Sequence, residues 1–252
     1  MTRPEFPFLP YGRHQIDEDD VAAVTAVLRS DSLTGGPLIA EFEAAFAERV
    51  EARYAVACAS GTAGLHLAAM ALGIGPGHTV IVPTLTFLAT ANAARYVGAE
   101  VRFADVDPLT GLLRPEDLHG ACTAAAGQNL KAVVPVHLNG QPADMESIAE
   151  IAGGQGLRVI EDACQAVGAA YRTRSGEEVR VGSCRHSAMA VFSLHPVKTI
   201  AMGEGGVVTT NDAELNAALR RYRNHGMERD PNAFVQRDEA FDAEGGPNPW
   251  YY

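Results

Sequence analysis

Apolar positions in the first fifty residues recur at helical spacing. Val21, Val24, Val27 and Leu28 share one helical face, preceded by Ile16-Asp17-Glu18-Asp19-Asp20, with acids where a helix N-terminus favours negative charge. Thr34-Gly35-Gly36-Pro37 breaks this helix, and Ile39, Phe42, Phe46 and Val50 form a second face. From residue 54 the pattern changes to short, continuous apolar runs at 54–58, 79–82, 101–104, 132–136, 159–160, 190–193 and 207–209. Helix-period or alanine-rich segments at 62–72, 87–97, 115–126, 145–152 and 213–222 separate most of them. This alternation predicts an α/β fold: a mainly parallel seven-stranded sheet with helices on both faces, its strands buried on both sides. Residues 173–181 read as a polar hairpin or loop. The expected organisation is an N-terminal helical segment (1–50), a sheet domain (51–230), and a polar stretch (231–252) ending in Pro249-Trp250-Tyr251-Tyr252. That last stretch has no closing element and reads as the start of a connection to a further, smaller domain that the chain lacks.

The composition excludes several classes of function. The chain has 252 residues, 47% of them hydrophobic and 20% charged, which is the range of a folded globular protein. A net charge of −11 provides no basic footprint for nucleic acid or anionic lipid. No apolar stretch reaches the roughly 18–20 residues of a membrane span. The start lacks the charged-then-apolar pattern of a secretion signal. Cys58, Cys122, Cys164 and Cys184 include no pair at metal-clip or redox spacing, so reduced, mostly buried thiols and no metal are expected. A cytoplasmic location, with no nucleic acid and no membrane as partner, follows as the expectation. One bias is more pointed: 18 of the 20 basic residues are arginine, and only Lys131 and Lys198 are lysine. Arginine can supply a surface charge, but it cannot give up a proton and attack a carbonyl.

In a sheet of this kind ligands bind in the loops after the carboxyl ends of the strands. Four such loops are unusual. Ser60-Gly61-Thr62-Ala63-Gly64 opens a helix and can present free N–H groups to an anion, or serve as an ordinary N-cap. Pro83-Thr84-Leu85-Thr86-Phe87 offers an aromatic that either lies on a flat ligand or joins the core. Glu161-Asp162-Ala163-Cys164-Gln165 puts two acids at the end of a buried strand, where a carboxylate needs a cation or several donors. Leu194-His195-Pro196-Val197-Lys198-Thr199, followed by Gly203-Glu204-Gly205-Gly206, carries one of the two lysines, whereas Lys131 sits at a strand start on the far side of the sheet. Gly73-Ile74-Gly75-Pro76-Gly77 lies between a helix and a strand, the wrong order for a nucleotide loop, and reads as a turn. An anion cradle, a flat apolar face, a buried carboxylate and a lysine together suit a phosphorylated aromatic aldehyde with a protonated ring nitrogen, pyridoxal 5′-phosphate.

Four stretches resemble the DegT/DnrJ/EryC1/StrS aminotransferases, which are fold-type-I, pyridoxal-phosphate-dependent enzymes acting on nucleotide-linked keto-sugars. They are Ser60-Gly61-Thr62-Ala63-Gly64-Leu65-His66, Thr86-Phe87-Leu88-Ala89-Thr90-Ala91-Asn92, Glu161-Asp162-Ala163-Cys164-Gln165-Ala166 and Ser193-Leu194-His195-Pro196-Val197-Lys198-Thr199. The resemblance implies that Lys198 bonds the cofactor aldehyde and moves the substrate proton, and that Asp162 pairs with the ring nitrogen. It implies that Phe87 stacks on the ring and that Gln165 lies near the phenolic oxygen. Gly61, Thr62 and Ser193 would hold the phosphate, with Ser60 nearby. Tyr11, Asp31, Ser32, Leu33 and Thr34, together with Ser60 and Ser193, would contact the nucleotide-sugar. Relatives that replace the lysine by histidine are dehydratases, so Lys198 implies a transaminase. Val134-Pro135-Val136-His137-Leu138-Asn139-Gly140-Gln141-Pro142-Ala143-Asp144-Met145 and Asn224-His225-Gly226-Met227 are similar to the transaminase of pseudaminic acid biosynthesis. That likeness implies amination of C4 of a UDP-linked 4-keto-6-deoxy-N-acetylhexosamine, with L-glutamate as donor and a homodimer as the full-length form. The alternatives are another nucleotide-linked keto-sugar, such as a dTDP-linked one, or a truncated remnant that binds cofactor without turnover.

Overall fold

The structure is a computed structural model that describes residues 10, 12–228 and 230–252. Its centre is a seven-stranded sheet with the order β1-β9-β8-β5-β4-β2-β3. The strands are β1 (Tyr54–Cys58), β2 (Thr79–Pro83), β3 (Glu100–Ala104), β4 (Leu130–Val133), β5 (Arg158–Asp162), β8 (Met189–Ser193) and β9 (Gly206–Thr210). A separate antiparallel hairpin, β6 (Ala170–Arg172) with β7 (Glu178–Arg180), occupies the predicted polar loop. The helices are α1 (Glu18–Leu28), α2 (Pro37–Val50), α3 (Gly61–Ala71), α4 (Leu88–Tyr96), α5 (Pro115–Ala124), α6 (Met145–Gly154), α7 (Ala213–Arg223) and the short α8 (Arg237–Ala240). No described helix is long and apolar enough to cross a membrane.

All pairings in the sheet are parallel except those of β9, which runs antiparallel to both neighbours. Two antiparallel pairings in succession restore direction, so β1 points the same way as β8. The carboxyl ends of β1, β2, β4, β5 and β8 therefore share one edge of the sheet, where loops from distant parts of the chain meet.

Period-two alternation divides the strands between two faces. Val80, Val82, Ile160, Val191 and Val208 face α3, α4 and α7. On the other side Ile81, Val133 and Val159 pack with Leu118 of α5 and Ile148 of α6, while Ala190, Phe192 and Val207 meet Phe46 and Val50 of α2. Asp162 falls on the face of Ile160, and Glu161 on the opposite one.

The run expected over 132–136 stops as a ladder at Val133, because Pro135 has no N–H to donate. It continues only as an isolated bridge between Val136 and Asp162. The N-terminal helices form as predicted, but α1 buries no residue, and Val21, Val24 and Leu28 remain exposed. In α2 the apolar face includes an acid that periodicity did not flag. Glu43 is 3% exposed.

Glu43 belongs to the cover of the sheet edge. Strand β1 is outermost, and its outward backbone groups find side chains instead of another strand. Ala57 N–H donates to Glu43 Oε1 at 2.9 Å, and just before the strand Arg53 N–H donates to Asn211 Oδ1, next to the end of β9, at 2.7 Å. Arg220 and Arg223 of α7 donate to the Ala55 and Ala57 carbonyls at 3.3 and 3.1 Å, and both also pair with Glu43. This cover blocks edge-to-edge pairing and fixes the strand that leads into the Ser60 turn. Glu43→Ala leaves a part-buried N–H and two partly exposed guanidiniums without their shared acceptor, so it should lower the unfolding free energy by about 1–2 kcal/mol in urea titration. An unchanged midpoint would show that the cover contributes nothing.

Candidate active site

One cavity of about 590 Å³ opens at the shared edge of the sheet. Ser60, Gly61, Thr62, Phe87, Asp162, Gln165, Ser193 and Lys198 all line it, so every residue expected to touch the cofactor is gathered there. Lys131 and the glycine turn at 73–77 are not part of it. Nor are Asp31, Ser32, Leu33 and Thr34, which occupy the exposed turn between α1 and α2. Tyr11 lies outside the described residues.

The Ser60 turn shows how local sequence leaves backbone donors free at a helix start. Ser60 is the N-cap of α3, and its Oγ accepts the Ala63 N–H at 3.1 Å. Helix geometry leaves the N–H groups of Gly61 and Thr62 without acceptors inside α3. Space explains the glycine. A Cβ at Gly61 would come within 2.8 Å of Cys164 Sγ and Ser193 Cβ. At Gly206, the first residue of β9, a Cβ would lie 2.4 Å from the Ser60 carbonyl. The β1–α3 turn can therefore cross the start of β9 only over a residue without a side chain. These contacts bring Ser193, at the end of β8, beside the helix start.

Asp162 is 5% exposed at the end of β5. Its Oδ2 accepts Thr90 Oγ1–H at 2.6 Å, and its Oδ1 accepts the Cys164 N–H at 3.2 Å. Among the described residues no basic side chain forms an ion pair with it. A buried carboxylate that lines a cavity with two neutral donors and no ion-pair partner suits a ligand that brings its own positive charge.

The flanking groups fit the same ligand. Phe87, at the N-cap of α4, is 77% exposed, so its ring is free at the cavity rather than packed in the core. Gln165 Oε1 accepts the Asn139 N–H at 2.8 Å, which leaves the amide NH₂ of Gln165 to donate elsewhere. Gly140, with φ +82°, lets that turn approach, since a Cβ there would lie 2.9 Å from the Gln165 carbonyl oxygen. Lys198 is half-buried in the irregular segment joining β8 to β9, held by its N–H to the His195 carbonyl at 2.8 Å. Burial and the Asp162 charge push the Cys164 thiol well above its ordinary range. Burial likewise raises Cys58 to about 11 and Cys184 to about 12, and all four cysteines are free.

Two residues of this site were not singled out from the sequence. Thr90 stands one turn into α4, three positions after Phe87. His137, fully buried, lines the cavity beyond β4. Its Nδ1 accepts the Ala143 N–H at 3.1 Å, so its Nε2 carries the proton and donates to Glu161 Oε2 at 2.9 Å. Ser187 donates to the other Glu161 oxygen at 2.5 Å. Glu161 is thus satisfied on the face away from Asp162. The signal for His137 was a lone imidazole closing the apolar run Val134-Pro135-Val136.

Residues 14–242 match the DegT/DnrJ/EryC1/StrS aminotransferase family. The chain belongs to that family. Its members use pyridoxal 5′-phosphate. A GDP-perosamine synthase of Caulobacter vibrioides is 46% identical over 197 residues, which cover 78% of this chain and 50% of the relative. DesV of S. venezuelae is 39% identical with a TM-score of 0.75, over 83% of this chain and 54% of DesV. PseC of Helicobacter pylori, an aminotransferase involved in pseudaminic acid biosynthesis, is 28% identical with a TM-score of 0.78, over 87% of this chain and 57% of PseC. The chain thus spans about half the length of these relatives.

The packing around Gly61 yields a test that needs no ligand. Gly61→Ala forces α3 away from β8 and should cost about 1–3 kcal/mol in denaturant unfolding, the range for an overpacked contact. Wild-type stability in that variant would mean that the close approach of helix and strand has been overstated.

Proposed function

We propose that the cavity binds pyridoxal 5′-phosphate, and that the protein transfers an amino group from L-glutamate to a keto-sugar linked to a nucleotide. The observation that carries this reading is the buried Asp162 carboxylate, which lines the cavity without an ion-pair partner among the described residues, with the half-buried Lys198 on the same cavity wall. Family membership supports it, since the matched range, residues 14–242, includes both residues.

When bound, pyridoxal phosphate supplies an aldehyde carbon for amines and an electron-withdrawing ring. The chain's own residues do the rest. The N–H groups of Gly61 and Thr62 and the Ser193 hydroxyl, with Ser60 nearby, would hold the phosphate at the positive end of α3. Asp162 would pair with the ring nitrogen and favour its protonated form. Phe87 would lie against the ring, and the Gln165 amide would donate to the phenolic oxygen. Lys198 would be the amine that holds the cofactor and, when free, the base that moves the substrate proton.

For the acceptor we infer C4 of a UDP-linked 4-keto-6-deoxy-N-acetylhexosamine, from the stretches similar to the pseudaminic acid transaminase and from the likeness to PseC. A GDP-linked acceptor is the second reading, favoured by the higher identity to a GDP-perosamine synthase. Asp31, Ser32, Leu33 and Thr34 remain candidates for the nucleotide-sugar side of the site, as does Tyr11. Titration calorimetry with UDP- and GDP-linked sugars separates the two: tighter binding of the GDP form would replace the first reading.

Borohydride treatment of the chain with pyridoxal phosphate, followed by peptide mapping, should label Lys198 and leave Lys131 free. Label on Lys131, or none, would overturn the cofactor assignment. Asp162→Asn should keep the fold while removing the group that holds the ring proton, so glutamate-dependent amination should fall at least a hundredfold with little change in melting temperature. Near-normal turnover in that variant would remove Asp162 from the mechanism.

A further inference from the structure

The oxygens of Asp162 are not held by backbone alone. Oδ2 takes a 2.6 Å hydrogen bond from the hydroxyl of Thr90, which is 1% exposed and does not line the cavity. Thr90 Oγ1 lies 2.6 Å from Thr86 Oγ1, and Thr86 does line the cavity. Thr90 has one hydroxyl proton and the carboxylate can only accept, so that proton points at Asp162. The proton between the two threonines therefore belongs to Thr86. The chain of donation runs from Thr86 to Thr90 to Asp162, each bond strengthening the next.

The placement of this chain is specific. Phe87 is the N-cap of α4 and Thr90 lies in its first turn, so one helical turn carries both the exposed aromatic and the donor to the carboxylate. The first turn is also the positive end of the helix dipole. A carboxylate that accepts hydrogen bonds is a weaker base than a bare one. A weaker base leaves a shared proton on its partner, and a carboxylate anchored by a β-branched, buried hydroxyl has one orientation.

We propose that Thr90, with Thr86 behind it, is a positioning residue. It orients Asp162 and withdraws charge from it, so that a proton shared with a cationic nitrogen stays on the nitrogen. This rests on the pyridoxal phosphate reading above, and the experiment keeps the two apart.

The test uses pyridoxal phosphate labelled with ¹⁵N in the ring, bound to the wild-type chain and to Thr90→Val, Thr90→Ser, Asp162→Asn and the Thr90→Val/Asp162→Asn pair. The ¹⁵N resonance reports protonation of the ring nitrogen, and fluorescence titration gives the dissociation constant. The wild type and Thr90→Ser should show the protonated resonance. Thr90→Val, which keeps the shape and loses the donor, should move the resonance toward neutral pyridine and raise the dissociation constant about tenfold. In the Asp162→Asn background Thr90→Val should change neither, because Thr90 acts only through that carboxylate. A neutral resonance in the wild type would overturn the cofactor geometry itself. A protonated wild type with an unchanged Thr90→Val would overturn the role of Thr90 alone. Equal losses in Thr90→Ser and Thr90→Val, or a further loss in the double variant, would assign Thr90 to packing and overturn the proposal as well.

Discussion

A carboxylate buried at the end of a strand is costly unless something nearby favours its charge. In this protein Asp162 has neutral donors behind it and a cavity in front of it. Much of the surrounding architecture serves that arrangement. The alternation of β5 puts Ile160 and Asp162 on the α4 side, where Thr90 can reach the carboxylate. The same alternation puts Glu161 on the opposite side, where His137 and Ser187 satisfy it. Two adjacent acids thus take separate environments, one closed within the protein and one open to a ligand. The cross-strand bonds of Asp162 N–H to the Pro135 carbonyl and His137 N–H to the Asp162 carbonyl tie the end of β5 to the segment after β4.

The direction of the strands makes the rest of the site possible. With β9 antiparallel between β1 and β8, the turn after β1 arrives at the same edge as the ends of β5 and β8. Gly206 and Gly61 remove the side chains that would otherwise keep the α3 N-terminus away from Ser193. The segment from β8 to β9 contains no helix, and that irregular stretch carries Lys198. The outer strand β1 is held by Glu43, Arg220 and Arg223, so the cradle is anchored from α2 and α7 even though it lies at the sheet edge.

The strands were legible in the sequence because most are buried on both sides and read as unbroken apolar runs. The residues of the cavity wall were legible because chemistry of an unusual type sat at the ends of those runs: a lysine in an arginine-rich chain, paired acids, and a small-residue turn. What pattern alone did not reveal were side chains whose partners lie far away in sequence. Glu43 looks like a solvent-facing helix residue until Arg220 and Arg223 come beside it. Thr90 looks like a helix filler until β5 brings Asp162 to its hydroxyl. The antiparallel insertion of β9 depends on the irregular 194–205 connection, which has no periodicity to read. The apolar stripe of α1 was readable as a helix face, but periodicity says nothing about whether such a face is covered, and in this chain it is exposed.

The central claim is that Asp162 is the counter-charge for a protonated ring nitrogen, in a cavity whose other end grips a phosphate. A crystal structure of the chain soaked with pyridoxal phosphate tests it most directly. The account predicts the phosphate on the N-terminus of α3 between Thr62 and Ser193, electron density continuous with Lys198 Nζ, and the ring nitrogen within hydrogen-bonding distance of Asp162. A cofactor bound with its phosphate elsewhere, or with its ring nitrogen turned away from Asp162, would contradict the account.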